Sequence, residues 1–248
     1  MNKVMVMGIV NVTPDSFSDG GRFYRPEEAV RRAKNLIEDG ADIIDVGGES
    51  TRPGAVPVAW DEEWRRIEPV LEEIVGLADA RRGSRRADAV TVSVDTYHPE
   101  TAERALALGV GMINCVKREP VPVLMRLCAE KGAEIVIPHR IGWEPPPSVG
   151  GLSPILDPMI GFDTTREEDI GLLGDIPGLA RLGRVMIGAS RKRIVKRLTG
   201  EKTPGKDIAG NLAIVMYAAM KGASAVRVHD VKESVQALRV LDRLTQPL

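Results

Sequence analysis

Short runs of aliphatic residues alternate along the chain with longer segments in which apolar residues recur every three or four positions. The short runs are typical of buried strands, and the longer spacing is typical of amphipathic helices. The pattern predicts strands at residues 4–9, 43–46, 90–94, 112–116, 134–137, 154–156, 185–188 and 225–228. It predicts helices at residues 26–39, 61–80, 99–108, 120–131, 166–182, 207–221 and 231–244.

The residues that separate these elements fit a repeat of one strand followed by one helix. Several predicted helices end at a glycine followed by a small or β-branched residue, as at Gly40, Gly109, Gly132 and Gly222, and glycine commonly ends a helix in the left-handed conformation. Eight strands that alternate with helices indicate a parallel sheet closed on itself. We therefore predict an α/β fold, a (β/α)8 TIM barrel that occupies residues 1–248 as one domain.

One repeat is incomplete. The segment between the fifth and sixth strands contains Pro145, Pro146 and Pro147, and three successive prolines do not fit inside a helix. The sequence therefore predicts that the fifth outer helix is absent and that a loop takes its place. The resulting gap would expose apolar barrel surface, which this loop or a partner has to cover.

Composition narrows the classes of function. Hydrophobic residues make up 43% of the chain, and 34 basic residues balance 35 acidic ones to a net charge of −1. This balance argues against nucleic acid or an anionic membrane as a partner, and no apolar run is long enough to cross a bilayer. The two cysteines and the short, interrupted apolar start of the chain favour a reducing, cytoplasmic location.

Polar residues cluster where the predicted strands end. In a parallel barrel the active site lies at the carboxyl ends of the strands, so these side chains are expected to meet. A single Asp there often caps the next helix, and a single Arg is often a solvated charge. Polar groups at the same end of nearly every strand favour a binding site: Asn11, Ser50, Thr51, Arg52, Asp95, Asn114, His139, Asp157, Ser190, Lys192, Arg227 and His229.

The residue types indicate two tasks. Arg52, Arg227 and His229, with the hydroxyls of Ser50 and Thr51, are suited to an oxyanion such as diphosphate, because a guanidinium donates paired hydrogen bonds. A second set is suited to a flat heterocycle that donates N–H groups, since buried carboxylates require such donors. That set consists of Asp95, Asn114 and Asp157, with Lys192 as a donor to the ring.

These residues stand in longer segments that resemble the dihydropteroate synthase family. The match covers residues 7–21, 40–55, 93–96, 156–158, 190–192 and 227–230, in an order that spans nearly the whole chain. The first two segments are long and specific, and the short ones gain weight from their order. The resemblance implies a transferase that joins a pterin diphosphate to p-aminobenzoate, works with Mg2+ and is a homodimer through its last helices.

The resemblance also implies a role for each matching residue. Asp95, Lys192 and Arg227 would be catalytic, and Asn11 would lie beside the magnesium ion. The implied binding sets are Asp95, Asn114, Asp157 and Lys192 for the pterin; Asn11, Thr51, Arg52, Arg227 and His229 for the diphosphate; and Phe17, Pro53, Phe162 and Ser190 for p-aminobenzoate.

Strands four to six depart from the family pattern. The family has Asn-Asp on strand four, where this chain has Asn114-Cys115, and a methionine where this chain has Pro138. Loss of the carboxylate at position 115 is expected to weaken pterin binding or support of a cationic intermediate. Two other interpretations stay open at this point. One is a methyltransferase that uses a reduced folate, and the other is a degenerate paralogue that binds a pterin without turnover.

Overall fold

The barrel predicted from the sequence is confirmed. A computed structural model describes residues 3–13, 26–50, 56–82, 89–144, 148–203 and 205–245. Within this part of the chain, eight strands pair in parallel, in sequence order, and close between the first and the last. They are β1 (Met5–Asn11), β2 (Ile43–Gly47), β3 (Thr91–Asp95), β4 (Met112–Asn114), β5 (Glu134–Pro138), β6 (Ile155–Asp157), β7 (Arg184–Ile187) and β8 (Ala225–Val228).

The outer layer of the described residues is helical. Its members are α1 (Pro26–Glu38), α2 (Trp60–Arg82), α3 (Pro99–Ala107), α4 (Val121–Lys131), α5 (Arg166–Gly174), α6 (Ile176–Leu182), α7 (Arg193–Thr199), α8 (Ile208–Met220) and α9 (Val231–Thr245). The single helix predicted at residues 166–182 is wrong, because the helix is interrupted at Asp175. Pro177 explains the break, since proline lacks the N–H that would bond to Leu173.

Helix α7 was not predicted. Its seven residues include Arg193, Lys196 and Arg197, and only Ile194 and Val195 are buried. Such a short helix gives too few apolar positions to reveal a period. Gly200 ends it in the left-handed conformation, as expected for a helix that stops before a turn.

The gap predicted between β5 and β6 is present. Residues 139–144 and 148–154, the described part of this connection, contain no helix. A turn closed by an antiparallel bridge between Val149 and Leu152 packs both side chains against the core. A Cβ built at Gly150 would lie 3.2 Å from the Ala129 Cβ on α4. This turn therefore covers part of the apolar surface that the missing helix leaves.

The interior of the barrel has an apolar floor. Seven buried residues, one from nearly every strand, form a cluster separate from the larger core between strands and helices: Met7, Ile43, Met112, Val136, Ile155, Met186 and Ala225. Side chains two residues further along a strand face the same way. The next layer of inward-facing side chains, two residues further along the strands, is polar and includes Asp45, Asn114, Asp157 and Arg227. None of the described helices is both long and apolar enough to cross a membrane.

A close contact after β2 gives a first testable prediction. A Cβ added at Gly48 would lie 2.8 Å from Ile67 Cγ2 and 3.0 Å from the Glu63 carbonyl oxygen on α2. Gly48→Ala is therefore expected to lower the free energy of unfolding by about 1–3 kcal/mol. Gly76→Ala is the matched control, because nothing lies within 4 Å of its added Cβ. That change should raise the unfolding free energy by about 0.5–1 kcal/mol. Urea titration distinguishes the two, and equal effects would contradict the contact.

Candidate active site

A buried carboxylate organises the polar layer. Asp45 on β2 is 0% exposed, and three side chains from other strands donate to it. Ser93 Oγ lies 2.7 Å from Asp45 Oδ1, while Asn114 Nδ2 and Arg227 Nε lie 3.0 Å and 2.7 Å from Asp45 Oδ2. Hydrogen bonds to a buried ionised group are strong and depend closely on geometry. Asp45 therefore fixes Asn114 and Arg227 relative to one another.

Arg227 also connects Asp45 to Asp95. Its terminal NH2 nitrogen donates to Asp95 Oδ2 at 2.7 Å, so one guanidinium bridges two carboxylates. Burial raises the pKa of Asp95 to about 7, with the Asp45 charge adding to the effect and Arg227 opposing it. The two neighbouring carboxylates raise the pKa of Arg227 although its burial opposes that shift. A guanidinium has five N–H groups, and these two bonds leave donors for an anion.

A second set of polar side chains, Asp157 on β6 and Lys192 just after β7, faces Asp45 and its partners. Asp157 Oδ1 accepts from the Met159 N–H at 2.7 Å, and Lys192 Nζ donates to the Ile160 carbonyl oxygen at 2.7 Å. Lys192 Nζ also lies 4.3 Å from the centre of the Phe162 ring. Burial raises the pKa of Asp157 and lowers the pKa of Lys192 to about 8. Asp95, Asp157 and Arg227 each contribute to the electrostatic environment of Lys192, which places the two groups at one end of the barrel.

Two further candidates lie together at the ends of β7 and β8. Ser190 Oγ is 3.1 Å from His229 Nδ1, and the His229 N–H donates to the same Ser190 oxygen at 3.2 Å. Asn11 ends β1 and pairs in register with Gly47, which pairs with Asp95. The strand ends that carry Asn11, Asp95 and Asn114 are therefore adjacent, as the sequence predicted.

Four of the predicted site residues belong to segments that the structure does not describe. Phe17, Thr51, Arg52 and Pro53 lie outside the described residues. The convergence expected of Asp95, Asn114, Asp157, Lys192 and Arg227 is present, while the contribution of Arg52 stays a prediction.

The Cys115 side chain lies on the outer side of the barrel strands, away from the barrel interior. Asn114 faces the barrel interior, so the next residue faces the opposite way. Cys115 belongs to the core between strands and helices, and its thiol contacts the Lys117 carbonyl oxygen at 2.9 Å. Burial raises the pKa of this thiol, so it stays neutral. A carboxylate at position 115 would lie behind the strand, and its loss therefore removes no group from the mouth of the barrel.

No role in the site was predicted for Asp45 and Ser93. Both stand inside apolar strands and not after them. The available signal was their strand position: Asp45 is two residues before Gly47, and Ser93 is two residues before Asp95, on the same face of each strand. A charged residue flanked by Ile44 and Val46 within a buried strand requires internal partners.

The arrangement has the chemistry needed for a planar polar ligand. Asn114 Oδ1 is buried and has no hydrogen-bond partner among the described residues, although a buried acceptor without a donor is costly. An N–H group of a bound ring would satisfy it. Asp95 and Asp157 supply further acceptors, and Lys192 supplies a donor. Arg227 and His229 lie beside them as cationic or neutral donors for an anion.

Comparisons with known proteins agree with this geometry. The model of a family described as pterin-binding enzymes matches residues 7–145 and 149–229. The chain is 38% identical to the dihydropteroate synthase of Staphylococcus haemolyticus over 269 residues, which cover 99% of this chain and 97% of that protein. It is also 38% identical over 263 residues to a probable bifunctional folylpolyglutamate synthase/dihydropteroate synthase of Haloferax volcanii. That match covers 95% of this chain but only 30% of the longer protein.

Solved structures give the same result. Xanthomonas albilineans dihydropteroate synthase with 4-aminobenzoic acid matches with a TM-score of 0.85 and 38% identity, covering 99% of this chain and 95% of that one. The same enzyme in complex with 7,8-dihydropteroate matches with a TM-score of 0.81 and 36% identity, over 99% of this chain and 95% of that chain.

Proposed function

The chain belongs to the pterin-binding enzyme family and is a dihydropteroate synthase, and we propose that the polar layer above its barrel floor binds the pterin. The reaction condenses 6-hydroxymethyl-7,8-dihydropterin diphosphate with p-aminobenzoate to give 7,8-dihydropteroate and diphosphate. The observation that carries the assignment of residues is the hydrogen-bond network in which Asn114 and Arg227 both donate to Asp45, and Arg227 also donates to Asp95. The hydrogen-bond acceptors for the ring and the hydrogen-bond donor for the anion are thereby held side by side.

In this proposal the ring lies against Asp95, Asn114, Asp157 and Lys192. The carboxylates and the Asn114 amide oxygen accept from the ring N–H groups, and Lys192 donates to a ring oxygen or nitrogen. Arg227 and His229 hold the diphosphate. Thr51 and Arg52 are assigned to the diphosphate from the family resemblance, as are Phe17, Pro53, Phe162 and Ser190 to the p-aminobenzoate pocket.

The chemistry follows from this placement. The bond between the pterin methylene carbon and the diphosphate oxygen breaks, and its electron pair leaves with the diphosphate. The amine nitrogen of p-aminobenzoate then attacks the cationic carbon and afterwards loses a proton. Arg227 stabilises the departing charge, and Asp95 and Asp157 stabilise the positive charge that develops on the pterin. No strong base is required, because a neutral arylamine is already nucleophilic.

Asn11 is the residue we assign to magnesium. The described residues contain no group of three or more His, Cys, Asp or Glu side chains suited to a metal ion. An amide oxygen at the end of β1 fits Mg2+, which commonly takes few protein ligands and completes its coordination with phosphate oxygens and water. When bound, the ion would supply further positive charge to the leaving diphosphate.

The function is tested by turnover. Purified chain supplied with the pterin diphosphate, Mg2+ and p-aminobenzoate should release pteroate and diphosphate in equal amounts. Pterin binding without product would instead support a degenerate pterin-binding paralogue. Transfer of a methyl group from a reduced folate, without any use of the diphosphate substrate, would support the methyltransferase interpretation.

The pKa shifts predict a narrow pH range for pterin binding. Asp95 must be ionised to accept from the ring, and its pKa is raised to about 7, so affinity should fall as pH drops below that value. Lys192 must be charged to donate strongly, and its pKa is lowered to about 8, so affinity should also fall above that value. Titration of 6-hydroxymethylpterin between pH 5 and 10 measures both limbs. Lys192→Arg should remove the alkaline limb only, and a flat profile would contradict the assignment.

We also propose that the chain works as a homodimer in the cytoplasm. Tyr217 and Met220 on α8, and Val240 and Leu244 on α9, are exposed, and α8 packs beside α9. A second copy would cover this apolar face. The cytoplasmic location is supported by two buried, unpaired cysteines, which suit a reducing compartment. Sedimentation equilibrium should give about twice the chain mass of 26.9 kDa, whereas the single mass would refute the dimer.

A further inference from the structure

The buried carboxylate of Asp169 lies outside the set of side chains assigned to the substrates. Asp169 is in the first turn of α5 and is 2% exposed. Its Oδ1 atom accepts from the Gly161 N–H at 2.7 Å and from the Thr164 hydroxyl at 2.6 Å. The second distance is typical of a hydroxyl that donates to a carboxylate. One oxygen atom therefore attaches the β6–α5 segment, residues 158–164, to the helix.

The backbone of the β6–α5 segment is strained. Met159 and Asp163 have φ angles of 61° and 50°, in the left-handed region that most side chains disfavour. Such a conformation persists only where the surrounding structure enforces it. Gly161 lies between the two strained residues, and Thr164 follows the second. The hydrogen bonds to Asp169 therefore hold the part of the segment in which the strain lies.

The β6–α5 segment also supports Lys192. Lys192 Nζ donates to the Ile160 carbonyl oxygen at 2.7 Å and lies 4.3 Å from the centre of the Phe162 ring. A Cβ built at Gly161 would lie 2.9 Å from Lys192 Cδ, so the segment fits closely along the lysine side chain. Three successive residues thus set the position of the ammonium group, and the middle one donates its N–H to Asp169.

Charged groups from four elements act on the Lys192 ammonium. Burial lowers the pKa of Lys192 to about 8. The negative charges of Asp157 on β6, Asp169 on α5 and Asp95 on β3 oppose this shift, and the positive charge of Arg227 on β8 adds to it. Asp169 therefore acts on Lys192 in two ways, through the backbone of the segment and through its charge.

We propose that Asp169 is a positioning residue, which holds the β6–α5 segment so that the Lys192 ammonium is presented to the pterin ring. The inference rests on the proposed function, because that function assigns Lys192 to the ring. The role of Asp169 is indirect, since its Oδ1 atom is occupied by the segment. The diphosphate is assigned to Arg227 and His229 at the end of β8, so its binding should not depend on Asp169.

Two substitutions at position 169 separate geometry from charge. Asp169→Asn removes the charge, but its amide oxygen can accept both hydrogen bonds, because both go to Oδ1. Its Kd for 6-hydroxymethylpterin at pH 7 should stay within about twofold of wild type. The alkaline limb of its pH profile should move to lower pH, because a charge that raised the pKa of Lys192 is lost. Asp169→Ala also loses the bonds, and its Kd should rise about tenfold, the scale of a hydrogen bond to a charged group.

Thr164→Val tests the hydrogen bonds without a change at position 169. It removes one of the two donors to Asp169, so Kd for 6-hydroxymethylpterin should rise about threefold. The double variant with Asp169→Ala should resemble Asp169→Ala alone, because both changes break one network. Calorimetry with 6-hydroxymethylpterin at several pH values, and with pyrophosphate, measures these effects below the unfolding midpoint of each variant. Kd for pyrophosphate should stay within about twofold throughout.

The matched control is Glu167→Gln, in the same turn of α5. Glu167 is exposed, so the same charge is lost without either hydrogen bond, and a wild-type Kd and pH profile are expected. A wild-type Kd in Thr164→Val, or an unmoved alkaline limb in Asp169→Asn, would overturn the proposal even if Asp169→Ala did not fold. Equal weakening of pterin and pyrophosphate would show a merely structural role and would also overturn it. Failure of the wild-type chain to make pteroate would refute the proposed function, while the pterin titrations would still decide the role of Asp169.

Discussion

Replacement of Arg227 by alanine should abolish pteroate formation, with kcat/KM lowered by at least about a thousandfold. Two losses combine in this variant. The diphosphate loses a guanidinium donor, and removal of one such electrostatic contact commonly costs about a hundredfold to a thousandfold in rate. In addition, Asp45 and Asp95 lose the cation that bridges them at 2.7 Å on each side, so the ring acceptors lose their placement.

The same variant should be less stable. Removing one partner of a buried ion pair leaves uncompensated charge, which typically costs about 3–5 kcal/mol. Arg227→Lys keeps the charge but not the planar fork, so it should recover stability more than activity. Arg184→Ala, at an exposed ion pair on the other end of the barrel, should leave both near wild-type values. Turnover by Arg227→Ala at wild-type rates, measured well below its unfolding midpoint, would refute the role of Arg227.

Replacement of Asp95 by alanine should have the second-largest effect. The carboxylate is both an acceptor for the ring and a partner of Arg227, and it is 9% exposed. A site that hydrogen-bonds its substrate discriminates strongly, because unpaired donors on either side are costly. We expect kcat/KM to fall by roughly a hundredfold to a thousandfold, with a matching loss of 6-hydroxymethylpterin affinity by calorimetry.

Asp95→Asn provides the graded comparison. It keeps the size of the side chain and one acceptor, so part of the pterin affinity should return. The part of the acidic limb near pH 7 should disappear in this variant, since the Asp95 carboxyl is removed, and Asp157, whose pKa burial also raises, is the ring acceptor that still titrates. Pterin affinity unchanged in both Asp95 variants would place the ring elsewhere in the barrel.

The sequence predicted the barrel because its signals are local. Each buried strand is an aliphatic run, and glycines such as Gly132 end a helix in the left-handed conformation just before the next strand. The break at Asp175 was missed because the apolar spacing continues across it, although Pro177 removes a backbone donor. Helix α7 was missed because only Ile194 and Val195 face the core.

The site was predicted only in part, because some of its hydrogen bonds join residues that are far apart in sequence. Residues at the ends of strands, such as Asp95 and Arg227, are recognisable because the carboxyl ends of parallel strands meet at one face of a barrel. Asp45 is a different case, because its partners Ser93 and Arg227 are 48 and 182 residues away in sequence. Only closure of the barrel between β1 and β8 brings them together. The direction of the Cys115 side chain also required the strand register and could not follow from the family pattern.

A crystal structure of the chain with 6-hydroxymethylpterin diphosphate would test the central claim most directly. We predict that the ring lies over the apolar floor, within hydrogen-bond distance of Asp95, Asn114 and Asp157, and that the diphosphate contacts Arg227 and His229. Density for the ring outside the carboxyl ends of the strands, with Asn114 Oδ1 still unpaired, would contradict the account.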